Sequence, residues 1–240
     1  MSQANNHLNQ PSPEPASPEM NRQPKRGANR PNLNLEQEIR TAEHKTLIAG
    51  VDEAGRGAWA GPVVAGAVIL PPLKEDFGIN DSKQLLPLER ERLFGKIRKI
   101  ATAVGVGIVG VNEIDKMGVA QASYLAMQRA VDNLGVKPEH ILVDGYQVNF
   151  VGVSSTGIIE GDTKSLSIAA ASIIAKVARD KLMLEAHKKY SRFGFGVHKG
   201  YGTALHHERI LKHGLCSLHR KSFAPIRAVL QNRHQQNTLD

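Results

Sequence analysis

Cysteine is almost absent from this chain, which has one, Cys216, in 240 residues. No intrachain disulfide can form, and such usage is that of a reducing cytosol. Long apolar runs are missing too: none approaches the roughly 18 residues of a membrane span. The opening stretch, MSQANNHLNQPSPEP, lacks the apolar segment of a secretory signal. Glu14 and Glu19 argue against a mitochondrial transit peptide. The expectation is a cytoplasmic chain with no membrane partner. Acids are the minority charge: 23 Asp and Glu stand against 31 Lys and Arg, for a formal net charge of +8 and a pI near 9.6. That balance favours a polyanionic partner, nucleic acid or an anionic membrane surface, without choosing between them. A basic surface kept for solubility explains it equally well.

What is present is enough for one sizeable core, with 41% apolar residues. Residues 1–45 are rich in Asn, Gln, Pro and Ser without apolar periodicity, so they read as a disordered polar tail. Within it, RQPKRGANR reads as solvated, and LNLEQEIRTAE is the stretch with helical potential. A folded domain is expected over 46–235, its last part, about 190–235, being a helical segment. TLIAGVD, GPVVAGAVIL, ATAVGVGIVGV, HILVDGYQ and GIIEGD read as five strands. LPLERERLFGKIRKI carries Leu88, Leu93, Phe94 and Ile97 at helical spacing. NEIDKMGVAQASYLAMQRAVDNLG reads as one long helix ending at Gly135, and SLSIAAASIIAKVARDKLMLEAHKKY as an Ala-rich helix with a basic outer face. SRFGFGVHKGYGT is expected to be a loop. The order of elements predicts an α/β layered fold with a mixed five-stranded sheet.

Three acids fall where strands meet loops: Asp52 after the first strand, Asp144 after the fourth and Asp162 after the fifth. That edge of an open α/β sheet is where ligands bind. Neighbouring strands lie about 5 Å apart, so Asp52 and Asp144 converge if their strands are adjacent. Converging carboxylates repel unless a cation sits among them, and oxygen-only donors suit Mg²⁺ or Mn²⁺, not zinc. Two such ions about 4 Å apart clamp a phosphodiester. Glu53 follows Asp52 directly, and successive strand side chains point to opposite faces. Both reach a metal only if the strand breaks between them or Glu53 offers its main-chain carbonyl, and both routes stay open. Gly55, Arg56 and Gly57 can bring amides and a guanidinium to a phosphate. Lys83 lies in the polar loop NDSKQL, and Tyr201 lies between glycines in HKGYGT, where a ring can stack on a sugar or base.

Two patterns are set aside. GVGIVG matches the G-x-G-x-x-G dinucleotide fingerprint but sits inside an apolar run, so no small-molecule cofactor is expected. His206, His207, His213 and His219 gather around Cys216 without the regular pairs of a structural zinc site, and read as solvated histidines.

Taken together, GVDEAGRG, GPVVAGAV, DSKQL, ILVDG, GDTKSLSIAAASIIAKVARD, HKGYGT and HRKSFAPIR resemble bacterial ribonuclease HII, a type 2 ribonuclease H, from about Leu47 to Leu230. The resemblance implies a ribonuclease H-like fold with a C-terminal helical segment. It implies cleavage of RNA in RNA–DNA hybrids and nicking of duplex DNA 5′ of an embedded ribonucleotide, leaving 3′-hydroxyl and 5′-phosphate ends. By the same resemblance, the four metal-binding acids are Asp52, Glu53, Asp144 and Asp162. Gly55, Arg56 and Gly57 hold the backbone around the ribose 2′-hydroxyl, Lys83 is the motif lysine, and Tyr201 reads the RNA-to-DNA junction. GAWAG departs from the family's more usual proline-containing stretch. The polar tail is too short to be the extra N-terminal domain of ribonuclease HIII. A monomer is expected, and the sequence leaves a sliding clamp as an open partner for the tail. The rival classes are a non-catalytic nucleic-acid-binding module, which leaves the acids unexplained, and a nicotinamide-dependent oxidoreductase built on the glycine run.

Overall fold

The computed structural model describes residues 30–72 and 78–237. A central sheet carries five strands in the order β3-β2-β1-β4-β5. Strands β1 (Ile48–Ala54), β2 (Val63–Ile69) and β3 (Ala103–Val109) form an antiparallel meander, while β4 (His140–Asp144) and β5 (Ser154–Ile158) add in parallel on the other side of β1. The mixed five-stranded sheet expected from the sequence is therefore observed. The parallel pairing of β1 with β4, Val51 opposite Val143, sets Asp52 and Asp144 side by side.

The two faces of the sheet are covered by different helices. On one face, α5 (Leu166–Lys189) and α2 (Pro87–Ile100) enclose Val68, Leu93, Ile97, Ile173 and Ile174. On the other, α4 (Val119–Asp132) packs Ala122, Ala126 and Ala130 on Val51, Ala65 and Val143. Approach is close because the strands present glycine. A Cβ on Gly105 or Gly107 would lie 2.0 Å from the Ala130 or Ala126 carbonyl oxygen of α4. The apparent dinucleotide fingerprint is thus a helix-packing face of β3. Real helix–sheet backbone contact needs that missing Cβ.

Several boundaries differ from the sequence reading. The long helix expected over 112–135 is two, α3 (Val111–Met117) and α4, broken at Gly118, whose φ of 82° no helix interior accepts. β5 begins three residues earlier than GIIEGD, and Asp162 sits in the 3₁₀ turn Gly161–Thr163 just before α5. The segment after α5 is not plain loop: it holds a 3₁₀ turn, Ser191–Phe193, and the short α6 (Phe195–His198) before α7 (Ala204–His213) and α8 (Ala224–Asn237).

The tail expectation needs correction where it overlaps the described residues. Helix α1 (Asn34–Glu43) is formed and docked. Its Glu36 is fully buried and accepts from Ser165 Oγ at 2.6 Å and the Ser167 amide at 3.0 Å, so a carboxylate caps the positive end of α5. One buried, doubly bonded acid is what a polar composition conceals. Residues 1–29, including RQPKRGAN, lie outside the described residues.

Candidate active site

The carboxylates of Asp52, Asp144 and Asp162 offer oxygens that all lie within 4.8 Å of one another. Three elements bring them there. β1 supplies Asp52, β4 ends on Asp144, and the turn into α5 supplies Asp162. Each is oriented before any ligand arrives. Asp144 Oδ1 accepts from the Gly161 amide at 2.7 Å, Asp52 Oδ1 from the Glu53 amide at 2.7 Å, and Asp162 Oδ2 from Lys83 Nζ at 2.7 Å.

Electrostatics make this a site that wants a cation. Burial, with the charges of Asp144 and Glu53, pushes the Asp52 carboxyl well above the carboxylate range. Burial and Asp162 raise Asp144 as well. Lys83 answers part of the charge. Its burial disfavours the ammonium, but the hydrogen bond to Asp162 and the charges of Asp81, Asp162 and Asp52 outweigh that and hold it above its usual value. One lysine against three acids, two buried and one half-buried, leaves the cluster under-neutralised, and every donor is a carboxylate oxygen. That donor set fits a hard divalent cation.

Glu53 is not part of this cluster. The sequence reading left two routes, a break in β1 after Asp52 or the Glu53 main-chain carbonyl, and the strand continues through Ala54, with Glu53 opposite Ala65, which removes the first. Alternation sends the two side chains to opposite faces. The Glu53 carboxylate lies 3.6 Å from Arg56 Nη1, and its pKa is raised by burial against the pull of Arg56.

The other expected residues surround the cluster. Lys83 reaches it from the 3₁₀ turn Ser82–Gln84, whose cap Asp81 accepts from the Lys83 amide at 2.9 Å. Gly55, φ 89°, turns the chain out of β1, and Arg56 and Gly57 are exposed beyond it. Tyr201 is tied to the same turn, since Gly200 O accepts from the Trp59 and Ala60 amides. Residue-by-residue reading missed Asp81, Ser172, Arg179 and Arg220. Ser172 hydrogen-bonds Asp52 and lies 2.7 Å from Ser82 Oγ. Their signal was only that they stand inside the motifs DSKQL, ASIIAKVARD and HRKSF.

The histidines are also corrected. His206 and His219 are buried, not solvated. The Cys216 amide donates to His219 Nδ1 at 2.9 Å, the two Nε2 atoms of His219 and His206 lie 3.2 Å apart, and His206 Nδ1 lies 2.9 Å from Tyr201 O. A neutral relay satisfies every nitrogen: His219 Nε2–H donates to His206, and His206 Nδ1–H donates to the Tyr201 carbonyl. His198 stacks on His206 at 4.2 Å. Burial and the neighbouring His198 push His206 down to about 3, and burial takes His219 to about 4. Both folded values lie below the unfolded 6.5, so the unfolded chain binds more protons between pH 6.5 and 4. Stability from this cluster is therefore present above pH 6.5 and lost on acidification, by about 2–3 kcal/mol per imidazole. The raised carboxylates shift stability the opposite way, so the readout is a difference. His219→Gln is expected to flatten the fall in thermal midpoint between pH 6.5 and 4 relative to the parent. Parallel slopes would contradict the relay.

The profile of ribonuclease HII matches residues 49–226. The chain belongs to the ribonuclease HII family. Ribonuclease HII 1 of Methylibium petroleiphilum is 49% identical over 187 residues, covering 78% of this chain and 94% of that one. The crystal structure of the ribonuclease H2 from Pyrococcus horikoshii superposes with a TM-score of 0.68 at 29% identity, covering 78% of this chain and 99% of its own. The ribonuclease HII of Archaeoglobus fulgidus, solved in complex with PCNA, gives 0.61 at 27% identity, covering 72% and 93%. The fold is ribonuclease H-like, as expected. As a ribonuclease HII, the chain is a divalent-metal-dependent endoribonuclease acting on RNA–DNA hybrids.

Proposed function

We propose that this ribonuclease HII also nicks duplex DNA on the 5′ side of an embedded ribonucleotide, leaving 3′-hydroxyl and 5′-phosphate ends, with Mn²⁺ or Mg²⁺ as its ion. The observation that carries the reading is the oxygen-only cluster of Asp52, Asp144 and Asp162, set beside an exposed Gly-Arg-Gly turn and a tyrosine loop bonded to it. Asp52 and Asp144 would hold one ion, and Asp52 with Asp162 or Glu53 a second, Glu53 acting by its main-chain carbonyl. When bound, such a pair supplies Lewis acidity at both the attacking and the leaving oxygen. The chain does the rest. Gly161 and Lys83 fix the directions of Asp144 and Asp162. Gly55, Arg56 and Gly57 hold the nucleic-acid backbone around the 2′-hydroxyl, the group that separates RNA from DNA. Exposed Lys188, Lys189 and Arg192 at the end of α5 follow the backbone and make binding salt-dependent. The enzyme is taken to act as a monomer in the cytoplasm, where its substrate is made. Among the described residues no helix is long and apolar enough to cross a membrane. The Archaeoglobus fulgidus relative is solved with PCNA, so a sliding clamp is the first protein partner to test, by co-elution.

The deciding assay is nicking of duplex DNA with one embedded ribonucleotide, with Mg²⁺ and with Mn²⁺, by the parent and Asp144→Asn. A metal-dependent nick just 5′ of the ribonucleotide, lost in the variant, is expected. No nick with either metal would leave cleavage of RNA–DNA hybrids alone and defeat the reading.

Tyr201 makes a separate prediction. Its ring meets the Arg179 guanidinium at 5.1 Å and Lys176 Nζ at 5.9 Å, so two cations hold it beside the turn where a sugar or base would stack. Tyr201→Ala is expected to slow nicking about 10- to 100-fold, the loss of one stacking contact. Affinity for all-DNA duplex should change less than about 3-fold. Equal losses would contradict a junction-reading role.

A further inference from the structure

Two arginines, Arg179 of α5 and Arg220 after α7, are fully buried behind the Gly-Arg-Gly turn, and neither has a carboxylate partner among the described residues. Burying a guanidinium is costly unless its donors are used. Here they go almost wholly to the main chain of one turn. Arg220 donates to Gly55 O at 2.8 Å, Arg56 O at 2.9 Å and Gly61 O at 2.9 Å. Arg179 donates to Pro62 O at 3.0 Å and Ala60 O at 3.2 Å, and its Nη1 is buried without a partner. Arg179 also occupies the place of a side chain at residue 55: a Cβ on Gly55 would lie 1.9 Å from its Nε. Its other side meets the Tyr201 ring.

The geometry points to a positioning role, and we propose that Arg220 and Arg179 aim the turn at the substrate. In a trans peptide unit the C=O and N–H point in opposite directions. Arg220 draws the carbonyls of Gly55 and Arg56 inward, so the amides of Arg56 and Gly57 are turned outward. Both residues are exposed, and neither amide has an acceptor among the described residues. Two successive outward amides form a nest for an anionic or lone-pair oxygen. Two buried positive charges directly behind it deepen its attraction for a phosphodiester oxygen beside the ribose. Burial, with the charge of Arg179, takes Arg220 down to about 9, still protonated at neutral pH. The arginines touch no substrate. They act through the turn, and Arg179 joins it to the Tyr201 loop.

This inference rests on the nicking activity proposed above, and the test separates the two. Parent, Arg220→Lys and Arg179→Lys are compared on the single-ribonucleotide duplex under single turnover, each well below its own thermal midpoint. Lysine keeps the charge but cannot bridge several carbonyls. The rate constant is expected to fall about 30- to 100-fold, while Mn²⁺ affinity and affinity for all-DNA duplex stay within about 3-fold. Rates within 3-fold of the parent, or losses of metal or DNA affinity in proportion to rate, overturn the proposal. An inactive parent would instead defeat the nicking reading. If the lysine variants do not fold, Gly57→Pro decides, because it deletes one outward amide at a position with open space around it. Unchanged single-turnover rate in that variant overturns the proposal as well.

Discussion

Asp52→Asn is expected to abolish cleavage while making the metal-free protein more stable. Asp52 is the most perturbed carboxylate of the cluster: it is 4% exposed, and burial together with Asp144 and Glu53 drives its pKa well up. Without a cation, its charge is a liability to the fold. Asparagine keeps the oxygen that accepts from the Glu53 amide and removes the charge. A gain of about 1–2 kcal/mol in chelator, or roughly 2–8 °C in thermal midpoint, is the expected size. Activity goes the other way. A neutral amide is a poor ligand for a hard ion, and loss of at least about 10³-fold in rate, some 4 kcal/mol of barrier, is expected.

Metal addition crosses the two curves. An ion that binds the folded state alone stabilises it by mass action. Saturating Mn²⁺ should raise the midpoint of the parent and leave that of Asp52→Asn nearly unmoved. A variant less stable than its parent in chelator would show that Asp52 is held by its hydrogen bonds and not strained by its charge. A variant that retains metal-dependent cleavage would remove Asp52 from the site altogether.

Asp52 and Asp144 were legible in the sequence because each closes an apolar run, and Asp162 because it follows the fifth strand; strand ends on one sheet edge converge whenever the strands neighbour. Glu53 was legible as an acid but not in its direction, since two further residues of strand, Glu53 and Ala54, decide which face it takes. Glu36, His206 and His219 read as solvent-facing because a polar letter shows no burial. Ser165 bonds Glu36 across 129 residues and the two imidazoles meet across 13, while the main-chain partners of the imidazoles, Tyr201 and Cys216, lie only 5 and 3 residues away, so it is the burial that local sequence does not show. Arg220 was hidden as Glu36 was, its acceptors lying 159 to 165 residues away. The break at Gly118 was invisible because a single glycine inside a helical pattern is often tolerated. Local periodicity finds elements, and long-range satisfaction of polar groups decides what stands behind the site.

The same substitution should have opposite signs at two glycines, and the contrast tests how the site is held. Gly50 lies two residues before Asp52, on the face of β1 that meets α5. A Cβ there would fall 2.1 Å from the Ser167 carbonyl carbon and 2.3 Å from the Ile168 amide nitrogen. These are main-chain atoms of the first turn of α5 and cannot rotate away. β1 cannot yield either, being hydrogen-bonded to β2 and β4 on its two edges. Gly50→Ala therefore has to push α5 off the sheet, at a cost of about 3–5 kcal/mol, a large share of the stability of a typical domain. The displacement falls on the turn that carries Asp162 and separates it from Asp52, so any surviving folded protein should also cleave poorly. Gly95, exposed in α2, has nothing within 4 Å of its missing Cβ. There alanine only removes unfolded-state freedom, and Gly95→Ala should gain about 0.5–1 kcal/mol with cleavage unchanged. Thermal melts of the two variants, followed by single-turnover nicking at low temperature, read both effects. A Gly50→Ala midpoint within about 3 °C of the parent would mean that α5 is free to shift on β1, and that the carboxylate geometry is set by the ions and not by the packing of helix on strand.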